Sequence, residues 1–270
     1  MRLREQQLAF YRTFGFLRFP GLFAAEIDAI TAAYERIFAA SGRVHDHRRA
    51  LYLIPFADRS EYLSGLIDDP RIAGPVASIL GSDYNYATSD GNYYVGDTMW
   101  HSDQHLDTPF HSVKVGFYLD PLTRDSGCLR LIPGSFRHGD AFADALHAVV
   151  PISAENRSRE VWGIHGSEVP ALAIESQPGD MVLFNHKTKH SAWGGGTLRR
   201  MFTYNFEERM TGAQVPYLAR TLADVHARNG TIYGEAMLRT AGPERRRHLE
   251  QRLRVAAEHG INPVDGGSAA

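Results

Sequence analysis

Apolar residues Ile27, Ile30, Tyr34, Ile37 and Phe38 recur at three- and four-residue steps, which predicts a helix with one buried stripe. Most of residues 1–80 read the same way. Asp69-Pro70 predicts a second helix start, with the carboxylate as N-cap and the proline in the first turn, and Gly81 predicts its end. From Asp83 to Glu207 the period shortens to two. Val113, Val115, Phe117 and Leu119 alternate with other residues up to Asp120-Pro121, predicting a strand with one apolar face. Shorter runs over 128–132, 171–174, 181–184 and 201–206 predict further strands. Pro133-Gly134-Ser135 stops the first, and Gln177-Pro178-Gly179-Asp180 turns between the second and third.

Short strands punctuated by Pro-Gly turns predict an antiparallel sandwich or barrel. After about residue 212 helical spacing returns. Leu249, Leu253 and Ala256 fall on one stripe of a segment opened by Pro243, and its many Arg and Glu residues predict a solvated outer face. The expectation is one domain over 1–270, mainly β, with a strand core at about 83–208 and helical flanks. The Gly/Ser/Ala tail 265–270 is expected to fray.

Lys and Arg total 29 against 31 Asp and Glu, a formal charge of −2, which argues against a nucleic-acid binder. With 43% hydrophobic and 22% charged residues the composition is globular. Cys128 is the one cysteine, so no intrachain disulfide can form and a reducing compartment fits. The first residues lack the apolar run of a signal peptide, and no window approaches the ~20 apolar residues of a membrane span. A cytoplasmic protein acting on a small molecule, with its oligomeric state open, is expected. The 13 histidines stand out as candidate ligands or acid–base groups.

His101-Ser102-Asp103 sets an imidazole and a carboxylate two residues apart, on one face of an extended strand. A third ligand can come from His186 or His190, which would share a strand face, so periodicity leaves both open. Two histidines and one carboxylate form the facial triad of non-haem Fe(II) oxygenases, with metal positions left for co-substrate and dioxygen.

The segments around these residues narrow the reading. His101-Ser102-Asp103, Val113 to Leu122, Ser126-Gly127-Cys128 to Ser135, Pro178-Gly179-Asp180 to Phe184, His190 and Arg199, in that order and spacing, resemble the phytanoyl-CoA dioxygenase family. The stretch Gln6 to Leu17 is similar to that family's opening helix and first strand, so the resemblance spans about 5–208. It implies a double-stranded β-helix (jelly-roll, cupin-like) core that holds Fe(II) and 2-oxoglutarate, uses dioxygen, and is helped by ascorbate in vitro. The implied product is a hydroxylated small molecule, with succinate and carbon dioxide released.

Carried over by position, the resemblance implies His101, Asp103 and His190 as iron ligands, His190 lying ten residues after Asp180. Arg199 is implied as the 2-oxoglutarate anchor; a planar guanidinium grips a carboxylate with two parallel hydrogen bonds. Arg200 would point to the opposite face of its strand. Asn92 and Lys114 are further candidates for the 2-oxoglutarate shell, set against their reading as ordinary exposed sheet residues. Relatives that halogenate lack the carboxylate, so Asp103 favours hydroxylation. Two positions depart from the family: Ser191-Ala192 stands where many members have Gly-Ser, and Phe136 where many have His.

Candidate pocket walls are Thr88 to Tyr94, the loop Gln104 to His111, and Trp193. Asp90 and Asp107 beside Tyr93, Tyr94 and Trp193 would suit an amine or quaternary ammonium, and Ser89 to Thr98 loosely resembles members acting on aminoalkylphosphonates. No basic patch is evident for the phosphates of an acyl-CoA. Three other classes compete: a non-catalytic cupin-like metal- or ligand-binding module, a zinc hydrolase using the same ligands, and a protein-interaction domain using the basic C-terminal helix over 243–270.

Overall fold

The larger of two antiparallel sheets runs in the order β1 (Phe16–Phe19), β10 (Met181–Asn185), β5 (Ser112–Tyr118), β12 (Arg199–Glu208), β3 (Tyr84–Tyr94), β2 (Leu51–Leu53). The smaller runs β4 (Thr98–His101), β11 (His190–Ala192), β6 (Leu129–Leu131), β9 (Leu172–Ile174), and β7 (Glu160–Val161) pairs with β8 (Ile164–His165) as a separate hairpin. The computed structural model describes residues 1–152 and 157–263; the tail 265–270 lies outside them. This is the mainly β architecture that the alternation predicts, of the jelly-roll type that the resemblance implies. Among the described residues no helix is long and apolar enough to cross a membrane.

Helices α1 (Glu5–Phe14), α2 (Ile27–Ala40), α3 (Glu61–Leu66) and α4 (Pro70–Leu80) precede the strand core; β1 is the first strand that the resemblance implies after the opening helix, and β2 is a strand that the helical reading of 1–80 passes over. The cap of α4 forms as predicted: the Asp69 side chain accepts from Arg71 N at 2.8 Å, and Gly81 ends the helix at φ 86°. Helix α5 (Ala141–Val149) follows β6, and α6 (Val215–Asn229), α7 (Glu235–Arg239) and α8 (Pro243–Glu258) close the chain.

The alternation of β5 decides what faces what. Val113, Val115 and Phe117 are fully buried against the helices, together with Phe202, Tyr204 and Phe206 of β12 and Ile30, Tyr34, Ile72 and Val76 of α2 and α4. The opposite side of the same sheet is not solvent. There Tyr118, Val182, Phe184 and Met201 pack on Leu129 and Leu131 of the smaller sheet. A second apolar layer thus lies between the sheets, and any polar residue on that side of β3, β5 or β12 is enclosed.

Helix α8 departs from expectation. Arg252 is 2% exposed and pairs with Glu207 at 2.7 Å, and Arg245, also buried, pairs with Asp68. The helix lies on β3, and Arg252 neutralises the Glu207 carboxylate that this packing takes out of water, while Asp68 stays exposed and meets Arg245 at the edge. Its charges are structural as much as solvating.

Candidate metal centre

The predicted strand ends early. β4 stops at His101, and Asp103 lies in the bend beyond it, so the two side chains do not converge by strand alternation. The turn 186–189 brings them together instead. His190 pairs with His101 across β11 and β4, and Asp103 N donates to His186 O at 2.9 Å. Nor do His186 and His190 share a strand: β10 ends at Asn185 and β11 begins at His190.

One ligand atom from each of His101, Asp103 and His190 lies within 4.8 Å of the others. The His186 ring is committed elsewhere, its Nε2 donating to Asn205 Oδ1 at 2.9 Å. His101 Nδ1 donates to Met99 O at 2.7 Å and His190 Nδ1 to Thr188 O at 2.9 Å; a carbonyl only accepts, so both protons are fixed on Nδ1. Each Nε2 is left with its lone pair, the arrangement a metal-binding histidine needs. Burial pulls both imidazoles down, His190 to about 3, so both stay neutral and able to ligate near neutral pH.

Burial opposes the charge on Asp103, but Lys114, chief among the groups around it, holds the carboxyl well below the usual carboxylate range. Its Oδ2 is buried, 3.1 Å from Lys114 Nζ and 3.6 Å from His190 Nε2, yet makes no well-directed hydrogen bond. Two neutral imidazole nitrogens and an unsatisfied carboxylate oxygen fit a divalent ion with nitrogen and oxygen preference.

These groups line one end of a cavity of about 400 Å³ between the sheets, large enough for a small ligand. Arg199, 3% exposed, lines the same cavity. Its Nη1 donates to Gly127 O and its Nη2 to Thr98 Oγ1 at 2.9 Å, it lies over the Tyr94 ring at 4.8 Å, and its buried Nε has no hydrogen-bond partner. No carboxylate among the described residues pairs with it. Gly127 sits at φ +88°, where a Cβ would meet Gly195 Cα at 3.1 Å and Arg199 Nη1 at 3.2 Å, so glycine is needed for this approach. Arg200 points the other way, to Asp120 at 2.6 Å and Glu35 at 2.7 Å.

Asn92 and Lys114 are enclosed in the cavity wall and are not exposed sheet residues. Asn92 spends an amide hydrogen on Asp90 Oδ2 at 2.7 Å. Asp90 is the residue whose surroundings sequence reasoning missed. Thr203 and Asn205 (3.2 Å) also donate to it, so three neutral donors hold its carboxylate at the cavity wall. Alternation along β12 contained the signal, since positions 199, 201, 203 and 205 share a face.

The other expected walls fall elsewhere. Tyr93 faces outward to Glu35, Trp193 packs behind the smaller sheet on Gly166, and Asp107 and the loop around it line a different cavity. Strand alternation and the turn at 186–189 send these side chains away from the cluster of His101, Asp103 and His190.

Residues 11–201 match the family model described as phytanoyl-CoA dioxygenase (PhyH). No curated protein matches the chain by sequence. Solved structures do. The carbocyclase SnoK from nogalamycin biosynthesis is 21% identical with a TM-score of 0.59, over 81% of this chain and 91% of that one. HygX from Streptomyces hygroscopicus, with nickel and 2-oxoglutarate bound, is 17% identical with a TM-score of 0.61, over 78% and 89%. EctD from S. alaskensis, with 2-oxoglutarate and 5-hydroxyectoine, is 19% identical with a TM-score of 0.57, over 76% of each chain. At these identities the likeness is one of fold. The family match, covering most of the chain, carries more: the protein belongs to the phytanoyl-CoA dioxygenase family and is a dioxygenase-type enzyme.

Proposed function

We propose that this enzyme uses Fe(II) and 2-oxoglutarate to hydroxylate an unactivated C–H bond of a small polar molecule. His101, Asp103 and His190 would hold the iron, and Arg199 the far carboxylate of 2-oxoglutarate. When bound, the metal with co-substrate and dioxygen supplies the oxidising chemistry, with succinate and carbon dioxide as by-products. The observation that carries the reading is Arg199: a buried guanidinium with an unsatisfied donor, in the same cavity as a cluster of three ligand atoms. A structural metal site or a hydrolase has no use for such a group.

The chain's own residues orient and exclude. Met99 and Thr188 carbonyls fix the ligand tautomers, and Phe184 and Met201 keep the cavity wall apolar. Lys114 would offer a second positive contact to 2-oxoglutarate once the metal takes the Asp103 charge, and Asn92 has a second amide hydrogen left for the same ligand. Asp90, hydrogen-bonded by three neutral donors on a wall that also carries Lys114, supports an amine or hydroxyl on the substrate.

The test is anaerobic addition of Fe(II) and then 2-oxoglutarate to the metal-free protein. A visible charge-transfer absorption is expected, and its absence would remove the reading. A succinate-release screen over small amines, amino acids, aminophosphonates and acyl thioesters, with ascorbate present, then identifies the substrate class.

A further inference from the structure

Lys189 precedes the third proposed ligand and points to the opposite face of the smaller sheet. It is 1% exposed. Its ammonium donates to Ser102 Oγ at 2.9 Å, to Val150 O at 2.5 Å and to Pro151 O at 3.5 Å, and no carboxylate among the described residues lies in ion-pair distance of it. It borders a second cavity that His105, Asp107 and His147 also line, beside the Val150 backbone to which it donates. Burying a lysine here without a counter-ion is costly, and a methionine would fill the volume without that cost. The charge must therefore hold something that an apolar side chain cannot.

What it holds is Ser102, the residue between His101 and Asp103. The β4–β11 ladder runs out at the His190–His101 pair, with an irregular register between His190 and Ala192. Beyond that pair, the link between the two ligand-bearing segments is Asp103 N to His186 O on one side and Lys189 Nζ to Ser102 Oγ on the other. Ser102 itself is fully buried and also bridges Ile152.

We propose that Lys189 is a positioning residue: its ammonium ties Ser102 to the 150–151 backbone and thereby fixes the distance between the His101/Asp103 arm and His190. The inference rests on the proposed metal reading. Supporting groups behind metal ligands are worth about 10–100-fold in metal affinity.

The test compares wild type, Ser102→Ala, Lys189→Met and the double variant by anaerobic Fe(II) titration in saturating 2-oxoglutarate. Charge-transfer absorption is the readout, and melting of the metal-free proteins is measured alongside. Each single variant is expected to bind Fe(II) at least about 10-fold more weakly with a shifted band, and the double variant no worse than the weaker single, because one link is cut twice. Lys189→Arg should recover part of the affinity. Ser102→Ala also loses the Oγ bond to Gln104 O at 2.8 Å, so if Lys189→Met does not fold it is read together with Lys189→Arg. Wild-type Fe(II) affinity and band in Ser102→Ala, or losses that add in the double variant, overturn the proposal. A wild type without any charge-transfer band would instead overturn the metal reading beneath it.

Discussion

Replacing Arg199 tests the proposed co-substrate site directly. Its guanidinium is fixed before any ligand arrives, by the Gly127 carbonyl, the Thr98 hydroxyl and the Tyr94 ring, so little ordering cost remains when a carboxylate binds. A hydrogen bond to a charged partner contributes about 1.5–3 kcal/mol. Lys keeps the charge but loses the fork, roughly one such bond, which at ~1.4 kcal/mol per tenfold is about 10–150-fold weaker 2-oxoglutarate binding. Met loses both, and a loss above about 100-fold is expected. Stability should respond differently. Arg199→Met leaves the Gly127 carbonyl without its donor but removes a buried charge that burial already disfavours, so the two effects offset. The assay is anaerobic titration of the Fe(II) protein with 2-oxoglutarate, with melting in the absence of 2-oxoglutarate as control. If Arg199→Met melts like wild type and binds 2-oxoglutarate within about threefold of it, the anchor is another residue, Lys114 being next in line.

Asp103→Ala should abolish succinate release and leave Lys114 a buried cation without its partner, a loss of up to about 3 kcal/mol on denaturation; turnover near the wild-type rate would remove Asp103 from the ligand set. Burial pulls His147 down to about 4 from 6.5, so as pH falls through that window the unfolded chain takes up a proton the folded one refuses, and metal-free stability drops. His147→Gln, which still donates to the Ser135 and Lys187 carbonyls, should make the melting-temperature profile less steep between about pH 6.5 and 4, with buried His101, His186 and His190 supplying the remaining slope, and an unchanged slope contradicts this. Asp90→Asn sets an amide against the Asn92 amide; it should raise KM for any amine found by the screen about tenfold while uncoupled 2-oxoglutarate turnover continues, and an unchanged KM would exclude Asp90 from substrate binding.

Much of this fold is legible in the periodicity. The apolar side of β5 and the stripe of α2 lie in the core because hydrophobic spacing reports burial directly. The cavity wall is less legible for the same reason. Lys114, Asn92, Thr203 and Asn205 occupy the polar phase of strands whose other side is apolar, a pattern that ordinarily means solvent. Only the second sheet, laid over them, makes them interior. Asp103 shows another limit: a two-residue spacing suggested strand geometry, whereas a turn distant in sequence supplies its position. Asp120 and Asp180 show that motif residues can serve the frame. Asp120 binds Arg200, and Asp180 accepts from Gly21 N at 2.7 Å and Arg18 at 2.9 Å, fastening β1 to the sheet.

The charges of the cavity carry one further consequence. Its charged lining residues are Asp90, Asp103, Lys114 and Arg199, which sum to zero. On the proposed reading a divalent cation and a dianion enter together, and the sum remains zero. Either one alone leaves two units of charge uncompensated among side chains that are themselves mostly buried, where such an imbalance is less screened than in water. Iron and 2-oxoglutarate should therefore bind with positive coupling, and the coupling must be reciprocal: each tightens the other by the same factor, with allosteric couplings of about 5–150-fold as the scale. Measuring the Fe(II) dissociation constant with and without 2-oxoglutarate, and that of 2-oxoglutarate with and without a divalent metal, closes the cycle. Lys114→Met should weaken the dianion and strengthen the metal, because it removes positive charge 3.1 Å from Asp103. Independent binding of the two ligands in the wild type would mean that this charge balance does not govern the site.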